Sequence, residues 1–319
     1  MKTKILSGIV IGSLGIIMMQ GCLKNENEEL QNQEQARLKT YISSKSITVA
    51  PTSDGLYYIS LIEGTGISPS DSDFVLINVS WYRLDEYADN VLVGTNDTTL
   101  ARKRNIYPFV SYKGPIKLYM PSSATKGLFE GLKMMKAGGS AKLIVPSSLA
   151  YDGYESTNIP KYTTLIMFVD LLKVIKDPIA EDKALIIQYL DTLQLNENDL
   201  ADGIYMKVDS AGTGDVPSSG DTVTVQYREK SLDTTFSFGN FKYLTSQYIV
   251  DKDSIIAGMG VAIRKLKKGS EARIIVPYNM AWGKNGYSGK IPGVMDVPPY
   301  TSFYYQIIIK DIGRSNNYK

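Results

Sequence analysis

The stretch KGSEARIIVPYNMAW at residues 268–282 decides the fold, because AGGSAKLIVPSSLAY at residues 137–151 repeats its pattern position by position. In each stretch a glycine precedes an apolar run that ends in proline, and an alanine followed by an aromatic residue comes shortly after. The apolar run predicts a buried strand, and the proline marks its end. The two stretches lie 131 residues apart, far more than the roughly 20–50 residues of a solenoid unit. The chain therefore holds two copies of a whole domain.

Three further pairs of matching segments lie upstream of these stretches. Each pair is separated by 148 residues without gaps: 54–58 with 202–206, 64–66 with 212–214, and 73–79 with 221–227. The change of offset from 148 to 131 means that the first copy has 17 extra residues between Asp85 and Gly114. We interpret residues 86–113, which contain these extra residues, as an enlarged loop.

Helical patterns occur at matching places in the two copies. Segments 28–44 and 180–195 favour helices ahead of the strands, and apolar residues at helical spacing predict a short helix in 128–135 and again in 259–266. Each short helix is followed by lysine and glycine, which suit a helix C-terminus. Alternating apolar residues predict strands in much of the remainder.

Composition excludes several kinds of site. The 319 residues include 35 basic and 33 acidic side chains, no histidine and a single cysteine, Cys22. The balanced charge gives no sign of nucleic-acid binding. Without histidine the chain lacks the usual general base and the commonest transition-metal ligand, and one cysteine permits neither an intrachain disulfide nor a zinc cluster. We expect no nucleic-acid partner, no metal and no cofactor.

The N-terminus resembles a bacterial lipoprotein signal. A basic start is followed by an apolar stretch from Ile5 to Met19 and then by Gly21-Cys22. This stretch suits a signal-peptide core and falls short of the ~20 residues that span a bilayer. The resemblance implies that residues 1–21 are removed and that Cys22 is lipidated, which would anchor the chain in the cell envelope, at the outer membrane, with a periplasmic or a surface face. An uncleaved anchor and plain secretion are the alternatives.

The acidic run behind Cys22, residues 23–29, has two interpretations. It is a solvated tether, or it resembles the export signal of surface lipoproteins in Bacteroidetes. In either case residues 22–53 form a lipidated tether and a helix.

The order of the motifs resembles the FKBP-type peptidyl-prolyl cis–trans isomerases. In the second copy the matching segments are Gly220–Tyr227, Ile255–Met259, Lys268–Arg273, Val276–Pro277, Met280–Gly283 and Pro298–Pro299. In the first copy they are Lys126–Leu132, Lys142–Pro146, Leu149–Tyr151 and Ile159–Pro160. The resemblance implies an α+β fold of two FKBP-like domains, each an antiparallel sheet wrapped around a short helix and preceded by a helix.

The domain boundaries follow from this assignment. We expect a first, degenerate FKBP-like domain at 54–176, a helical linker at 177–201, a second domain at 202–313 and a tail at 314–319. Below, the first copy denotes the domain at 54–176, and the second copy denotes the domain at 202–313.

The chemistry that the resemblance implies suits a chain without histidine. Turning an Xaa-Pro bond meets a barrier of ~18–20 kcal/mol and needs no nucleophile, metal or cofactor. A dry apolar pocket that favours the twisted amide lowers this barrier by differential binding. The implied partners are proline-containing polypeptides of the envelope or the cell surface.

Carried over position by position, the resemblance names a pocket in the second copy. Its catalytic residues are expected to be Tyr227, Phe236, Ile256, Trp282 and Tyr305, and its substrate-binding residues Tyr248, Ile255, Met259 and Val297. The sequence departs from the family at three of its positions. Met259 stands where the family has a floor tryptophan, Ser237 replaces a buried aspartate, and Trp282 replaces a tyrosine.

The first copy lies further from the family pattern. Its strand tyrosine falls on Val79 and its floor residue on Leu128, which leaves Tyr151, Ile116, Leu118, Ile159 and Met167 as substrate-binding candidates. Most of these aliphatic residues would serve equally well as plain core. The second copy is therefore the better candidate for activity. A non-enzymatic binding or chaperone module is the alternative, and a component of a surface assembly is a third, weaker interpretation.

Overall fold

The computed structural model describes residues 10–85, 90–104, 115–122, 125–156, 158–233, 243–253, 256–287 and 297–314. Within these ranges the chain forms two antiparallel sheets, one in each copy, and five α-helices. The α+β class expected from the sequence is confirmed.

The first sheet has six strands. They are β1 (Tyr57–Ile62), β2 (Phe74–Leu84), β3 (Asn90–Thr95), β4 (Ile116–Tyr119), β5 (Gly139–Val145) and β6 (Leu165–Ile175). The strand order is β1-β5-β6-β2-β3, and β4 pairs with β2. The helices of this part of the chain are α1 (Val10–Ser44), α2 (Thr98–Lys103) and α3 (Lys126–Lys133).

Within the described ranges, the second sheet repeats the topology of the first, and those ranges contain no counterpart of β3. Its strands are β7 (Tyr205–Ser210), β8 (Thr222–Ser231), β9 (Leu244–Ile249), β10 (Glu271–Val276) and β11 (Phe303–Gly313), in the order β7-β10-β11-β8-β9. Its helices are α4 (Pro178–Leu193) and α5 (Ala257–Lys265). Equivalent residues pair in both sheets, Tyr57 with Ile144 and Tyr205 with Ile275. The internal repeat is therefore a repeat of strand register as well as of sequence.

The insertion of the first copy contains secondary structure, so its interpretation as a loop is wrong for the part that the structure describes. Strand β3 extends the sheet beside β2. Helix α2 begins after Asp97, whose carboxylate accepts hydrogen bonds from the amides of Thr99 and Leu100 at 2.7 and 3.1 Å. This cap and the fully buried side chain of Ala101 stabilise a helix too short to be recognised from its sequence.

The packing of the chain defines two compact units. One comprises the described residues of Met1–Ser68, Val79–Gly94 and Ser123–Asp170, and the other those of Pro69–Asn78, Thr95–Ser122 and Leu171–Lys319. The second sheet lies wholly in the second unit, whereas strands of the first sheet contribute to both units.

In each copy a short helix packs closely on its sheet through a glycine. A Cβ atom at Gly258 of α5 would stand 2.4 Å from Cγ1 of Val276, and one at Gly127 of α3 would stand 2.4 Å from Cγ1 of Val145. Real carbon atoms do not approach so closely, so only glycine permits this helix position. In the second copy the contact brings Met259, the next residue of α5, against the inner face of the sheet.

The helix that precedes each copy is held by a buried carboxylate. Glu34 of α1 accepts hydrogen bonds from the amide and hydroxyl of Ser147 at 2.7 and 2.5 Å, and from the hydroxyl of Thr164 at 2.7 Å. Asp182 of α4 accepts hydrogen bonds from the amide and hydroxyl of Ser302 at 3.2 and 2.7 Å. Glu34 and Asp182 lie 148 residues apart, so they are equivalent positions of the repeat.

Helices α1 and α4 each cover an apolar cluster on the outer face of their sheet. Tyr41 of α1 packs with Ile144 and Ile166, and Leu190 of α4 packs with Ile275 and Tyr304. Each sheet is thereby buried between an outer and an inner helix, as a half-apolar sheet requires. In the described part of the chain no helix combines the length and apolar character needed to cross a membrane.

Candidate functional site

The inner face of the second sheet gathers most of the residues that the sequence predicted as a pocket. Side chains of a strand alternate between its two faces, so Val223, Val225 and Tyr227 of β8 share one face. A single apolar cluster on this face includes seven of the predicted residues: Tyr227, Tyr248, Ile256, Met259, Trp282, Val297 and Tyr305.

Two tyrosines on neighbouring strands form one wall of this cluster. The rings of Tyr227 on β8 and Tyr305 on β11 lie 6.3 Å apart between centroids at an angle of 51°. Tyr305 is buried and Tyr227 is half-buried, and burial raises the pKa of both hydroxyls above the ordinary value of 10. Both side chains are therefore neutral over the physiological pH range.

Trp282 forms a second wall together with a residue that the sequence did not single out, Tyr287. Their rings lie 4.5 Å apart between centroids. Tyr287 and Val297 exchange two backbone hydrogen bonds of 2.9 and 2.7 Å, a closure that brings these two residues together. Gly286 makes this closure possible, because its φ is +65° and a Cβ atom there would stand 2.2 Å from the Val297 carbonyl oxygen.

The floor of the cluster comes from the start of helix α5. Met259 is only 3 % exposed, and Ile256 occupies the N-cap position of the helix. A hollow of about 200 Å³ is lined in part by Ile256 and Tyr248, and also by Arg264 and Asp251, which form an ion pair of 3.0 Å. Among the predicted pocket residues that the structure describes, only Tyr248 and Ile256 line this hollow. Tyr227, Tyr248 and Trp282 are half-buried, so their rings leave some aromatic surface open to a small apolar ligand, whereas Met259 and Tyr305 lie buried beneath them.

The sequence of the chain matches the model of a protein family described as FKBP-type peptidyl-prolyl cis-trans isomerase over residues 95–172 and 214–309. These two ranges fall one in each copy and together cover more than half of the chain. The chain belongs to the FKBP-type peptidyl-prolyl cis-trans isomerase family. The resemblance inferred from the repeated motifs is thereby confirmed.

Relatives within the family come from animals and bacteria. The chain is 31% identical over 171 residues to mouse peptidyl-prolyl cis-trans isomerase FKBP10, covering 53% of this chain and 26% of that protein. It is 29% identical over 161 residues to FkpA, an FKBP-type peptidyl-prolyl cis-trans isomerase of Escherichia coli K12, covering 50% of this chain and 53% of that protein. The chain thus spans between a quarter and about half of the length of these relatives.

Solved structures of family members resemble parts of the chain. The three FKBP domains of wheat FKBP73 match with a TM-score of 0.30 and 18% identity, over 82% of this chain and 97% of that one. FkpA from Escherichia coli matches with a TM-score of 0.38 and 25% identity, over 55% of this chain and 75% of that one. The family assignment rests on the sequence match.

Some FKBP-type positions lie outside the described residues. Among them are Phe236 and Ile255, and also Ser237, where the family has a buried aspartate. A different carboxyl group lies among the pocket residues. Glu229 of β8 is 8% exposed and shares a hydrogen bond with the hydroxyl of Tyr305, its direct neighbour across the strand pair.

The candidate residues of the first FKBP copy are divided between the compact units. Ile116 and Leu118 of β4 belong to the second unit and are half-buried there. Tyr151, Ile159 and Met167 belong to the first unit, in which Ile159 and Met167 are buried and Tyr151 is half-buried. The structure does not place these five residues in one compact unit.

Glu229 and Tyr287 are the pocket residues that the sequence analysis missed. The signal for Glu229 was present, because it continues the alternation of Val223, Val225 and Tyr227 toward the inner face. Its charge argued against a buried position. Tyr287 gave no such signal, since the bridge to Val297 joins two segments separated along the chain.

Proposed function

We propose that this protein is a peptidyl-prolyl cis–trans isomerase and that its working pocket is the inner face of the second sheet. One observation carries the proposal: Tyr227, Trp282 and Tyr305 come from three separate segments and meet in a single apolar cluster. Plain core packing does not require three large aromatic residues with polar tips to converge, whereas a proline-binding pocket does.

The pocket would act by binding the twisted amide better than the planar one. Rotation about an Xaa-Pro bond is slow because resonance stiffens the C–N bond, at a cost of ~18–20 kcal/mol. Each 1.36 kcal/mol of preferential binding to the twisted form corresponds to about a tenfold gain in rate. The neutral walls Tyr227 and Tyr305 and the floor Met259 exclude water from the proline ring without introducing a charge.

Magnetisation-exchange NMR on an Ala-Pro peptide tests this proposal with the full chain and without a coupled protease. We expect faster exchange between the cis and trans peptide signals in the presence of the protein. Trp282→Ala should reduce kcat/KM by about tenfold or more, because it removes one wall of the pocket. Tyr154→Ala is the control, since Tyr154 is an aromatic residue that is 81% exposed.

The same assay compares the two copies. Tyr151→Ala alters the aromatic candidate of the first copy and should leave the rate unchanged, whereas Trp282→Ala alters the equivalent position of the second copy. A Trp282→Ala chain that is folded and as fast as the unmodified one would remove the second pocket from the proposal. Peptide binding without any rate enhancement would support a binding or chaperone module instead.

We further propose that the isomerase is anchored in the cell envelope through a lipid on Cys22 and acts on envelope or surface proteins. The support is the basic start, the apolar stretch and the Gly21-Cys22 pair of the sequence. Metabolic labelling with palmitate in a bacterial host should label the unmodified chain and leave Cys22→Ser unlabelled. Equal labelling of the two chains would contradict the anchor, and protease treatment of whole cells would distinguish a surface from a periplasmic face.

A further inference from the structure

Glu229 places a carboxyl group on the inner face of the pocket. It lies two residues beyond Tyr227 on β8, so both side chains leave the strand on the same face. Its partner in register on β11 is Tyr305, and the hydroxyl of Tyr305 donates a hydrogen bond to the carboxylate form of Glu229. The tyrosine of the pocket wall and the carboxyl group are therefore one hydrogen-bonded unit.

The described side chains that interact with Glu229 or share its cluster are neutral or apolar. The titratable side chains that interact with it electrostatically, directly or through Tyr305, are Tyr305 on β11, Tyr227 on β8 and Tyr248 on β9. From the other packed elements, Met259 of α5 and Ile274 of β10 contribute apolar surface to the same cluster.

Most cations of these elements make contacts elsewhere in the described part of the chain, and Lys310 of β11 is exposed. Arg228 and Lys230, the sequence neighbours of Glu229, lie on the opposite strand face: Arg228 bonds Gln306, and Lys230 stands 4.9 Å from the ring centroid of Tyr189. On α5 and β10, Arg264 pairs with Asp251, Lys265 with Asp202 and Arg273 with Asp209. Among the residues that the structure describes, none supplies Glu229 with a compensating positive charge, and burial raises its pKa to about 7.

We propose that Glu229 is the positioning residue of the second pocket: it holds the Tyr305 ring through the phenol hydroxyl, and its protonation state controls how tightly the pocket binds proline. The proposal rests on the proposed isomerase function. In the neutral form the carboxyl group leaves the pocket dry and suited to an apolar ring. In the ionised form it draws water toward the proline site, which weakens binding.

The expected consequence is a pH-dependent KM. As the pH rises through about 7, kcat/KM for an Ala-Pro peptide should fall by about threefold to tenfold, mainly through a higher KM. Glu229→Gln keeps the shape and the hydrogen bond but cannot ionise, so its kcat/KM should be constant across the same range. Tyr305→Phe removes the bond that favours the ionised carboxylate, so the midpoint of its profile should lie at higher pH.

Matched controls separate this role from a general loss of stability. Tyr304→Phe removes a hydroxyl from the adjacent residue of β11, whose side chain belongs to the outer cluster. Asp182→Asn removes another buried carboxyl group of the same compact unit, away from the pocket. Both variants should keep the pH profile of the unmodified chain.

The decisive measurement combines exchange NMR from pH 5.5 to 8.5 with a ¹³C titration of the Glu229 carboxyl carbon, on the full chain and all variants. The proposal is supported if the pH midpoint of the Glu229 titration is higher in Tyr305→Phe and if kcat/KM of Glu229→Gln does not change with pH. The proposal fails if Glu229→Gln retains the pH profile of the unmodified chain, or if the carboxyl midpoint in Tyr305→Phe equals that of the unmodified chain.

Failure of the isomerase function gives a different result. A chain without activity at any pH would overturn the proposed function and, with it, the control of proline binding. The carboxyl titration does not need activity. An unmoved midpoint in Tyr305→Phe would therefore overturn the coupling of Glu229 to Tyr305 even in a fully active enzyme.

Discussion

Glu34 of α1 and Asp182 of α4 are buried carboxylates, and each makes an equivalent hydrogen bond within its own copy. Each accepts a hydrogen bond of 2.7 Å from the hydroxyl of the residue just before the last strand of its copy, Thr164 or Ser302. The two acids lie 148 residues apart and differ by one methylene group. The duplication therefore includes the outer helix and the carboxylate that holds it to its sheet.

Loss of the Asp182 side chain should destabilise the second copy. Asp182→Ala leaves the amide and hydroxyl of the buried Ser302 without this acceptor, which we expect to cost about 1–3 kcal/mol. Urea unfolding followed by Trp282 fluorescence in a Trp81→Phe background measures the effect in the second copy. Asp191→Ala, an exposed change on the same helix, is the control and should leave the urea midpoint in place.

Glu34→Ala should have the corresponding effect on the first copy. The variant removes the acceptor of three hydrogen bonds from Ser147 and Thr164, so the expected cost is again about 1–3 kcal/mol. Fluorescence of Trp81 in a Trp282→Phe background is the appropriate probe. An equal loss of stability reported by Trp282 would contradict the assignment of this bond to the first copy.

The stability of the second copy should fall as the pH rises from about 4 to 6. Burial raises the pKa of Asp182 from 3.8 to about 6, so the folded state binds a proton more tightly than the unfolded state in this window. Ionisation of the buried group then costs up to about 3 kcal/mol, and the loss is complete above pH 6. Urea midpoints at several pH values should show this slope in the unmodified chain and a smaller one in Asp182→Asn. An identical slope in both would exclude Asp182 as its source.

Gly258→Ala should push helix α5 away from the sheet. The new Cβ atom would stand 2.4 Å from Cγ1 of Val276, and relief of such a clash typically costs about 1–3 kcal/mol. Because Met259 follows directly, the peptide KM should rise together with the loss of stability. The penalty should be smaller in a Val276→Ala background, and equal penalties in the two backgrounds would show that the clash is not with Val276.

Tyr287→Ala should weaken peptide binding more than it weakens the fold. The ring of Tyr287 packs against the ring of Trp282, with 4.5 Å between the centroids, whereas the backbone hydrogen bonds of Tyr287 to Val297 do not depend on its side chain. We expect KM in the exchange assay to rise about threefold or more because the Trp282 wall loses its support. A KM equal to that of the unmodified chain would show that Trp282 holds its position unaided.

The sequence predicted those features that repeat or alternate. The two copies, many of their strands and the short inner helices could be found because Pro146 and Pro277, or Leu128 and Met259, stand at regular spacings. The hydrogen bonds that Glu34 and Asp182 accept could not be predicted, because their donors come from distant segments and only tertiary contact brings them together. Glu229 was not recognised because a buried carboxyl group needs a hydrogen-bond partner, and the sequence does not show that Tyr305 is that partner.

The bond between Asp182 and Ser302 bears on where the second copy can be cut out of the chain. Ser302 lies three residues before Tyr305, so the outer helix anchors the beginning of the strand that carries the pocket wall. A recombinant fragment starting at residue 202 would contain every predicted pocket residue of that copy and still lack this anchor. A transplantable module would have to start at Asp177, whose side chain caps helix α4. The helical linker at residues 177–201 is therefore a structural part of the second copy.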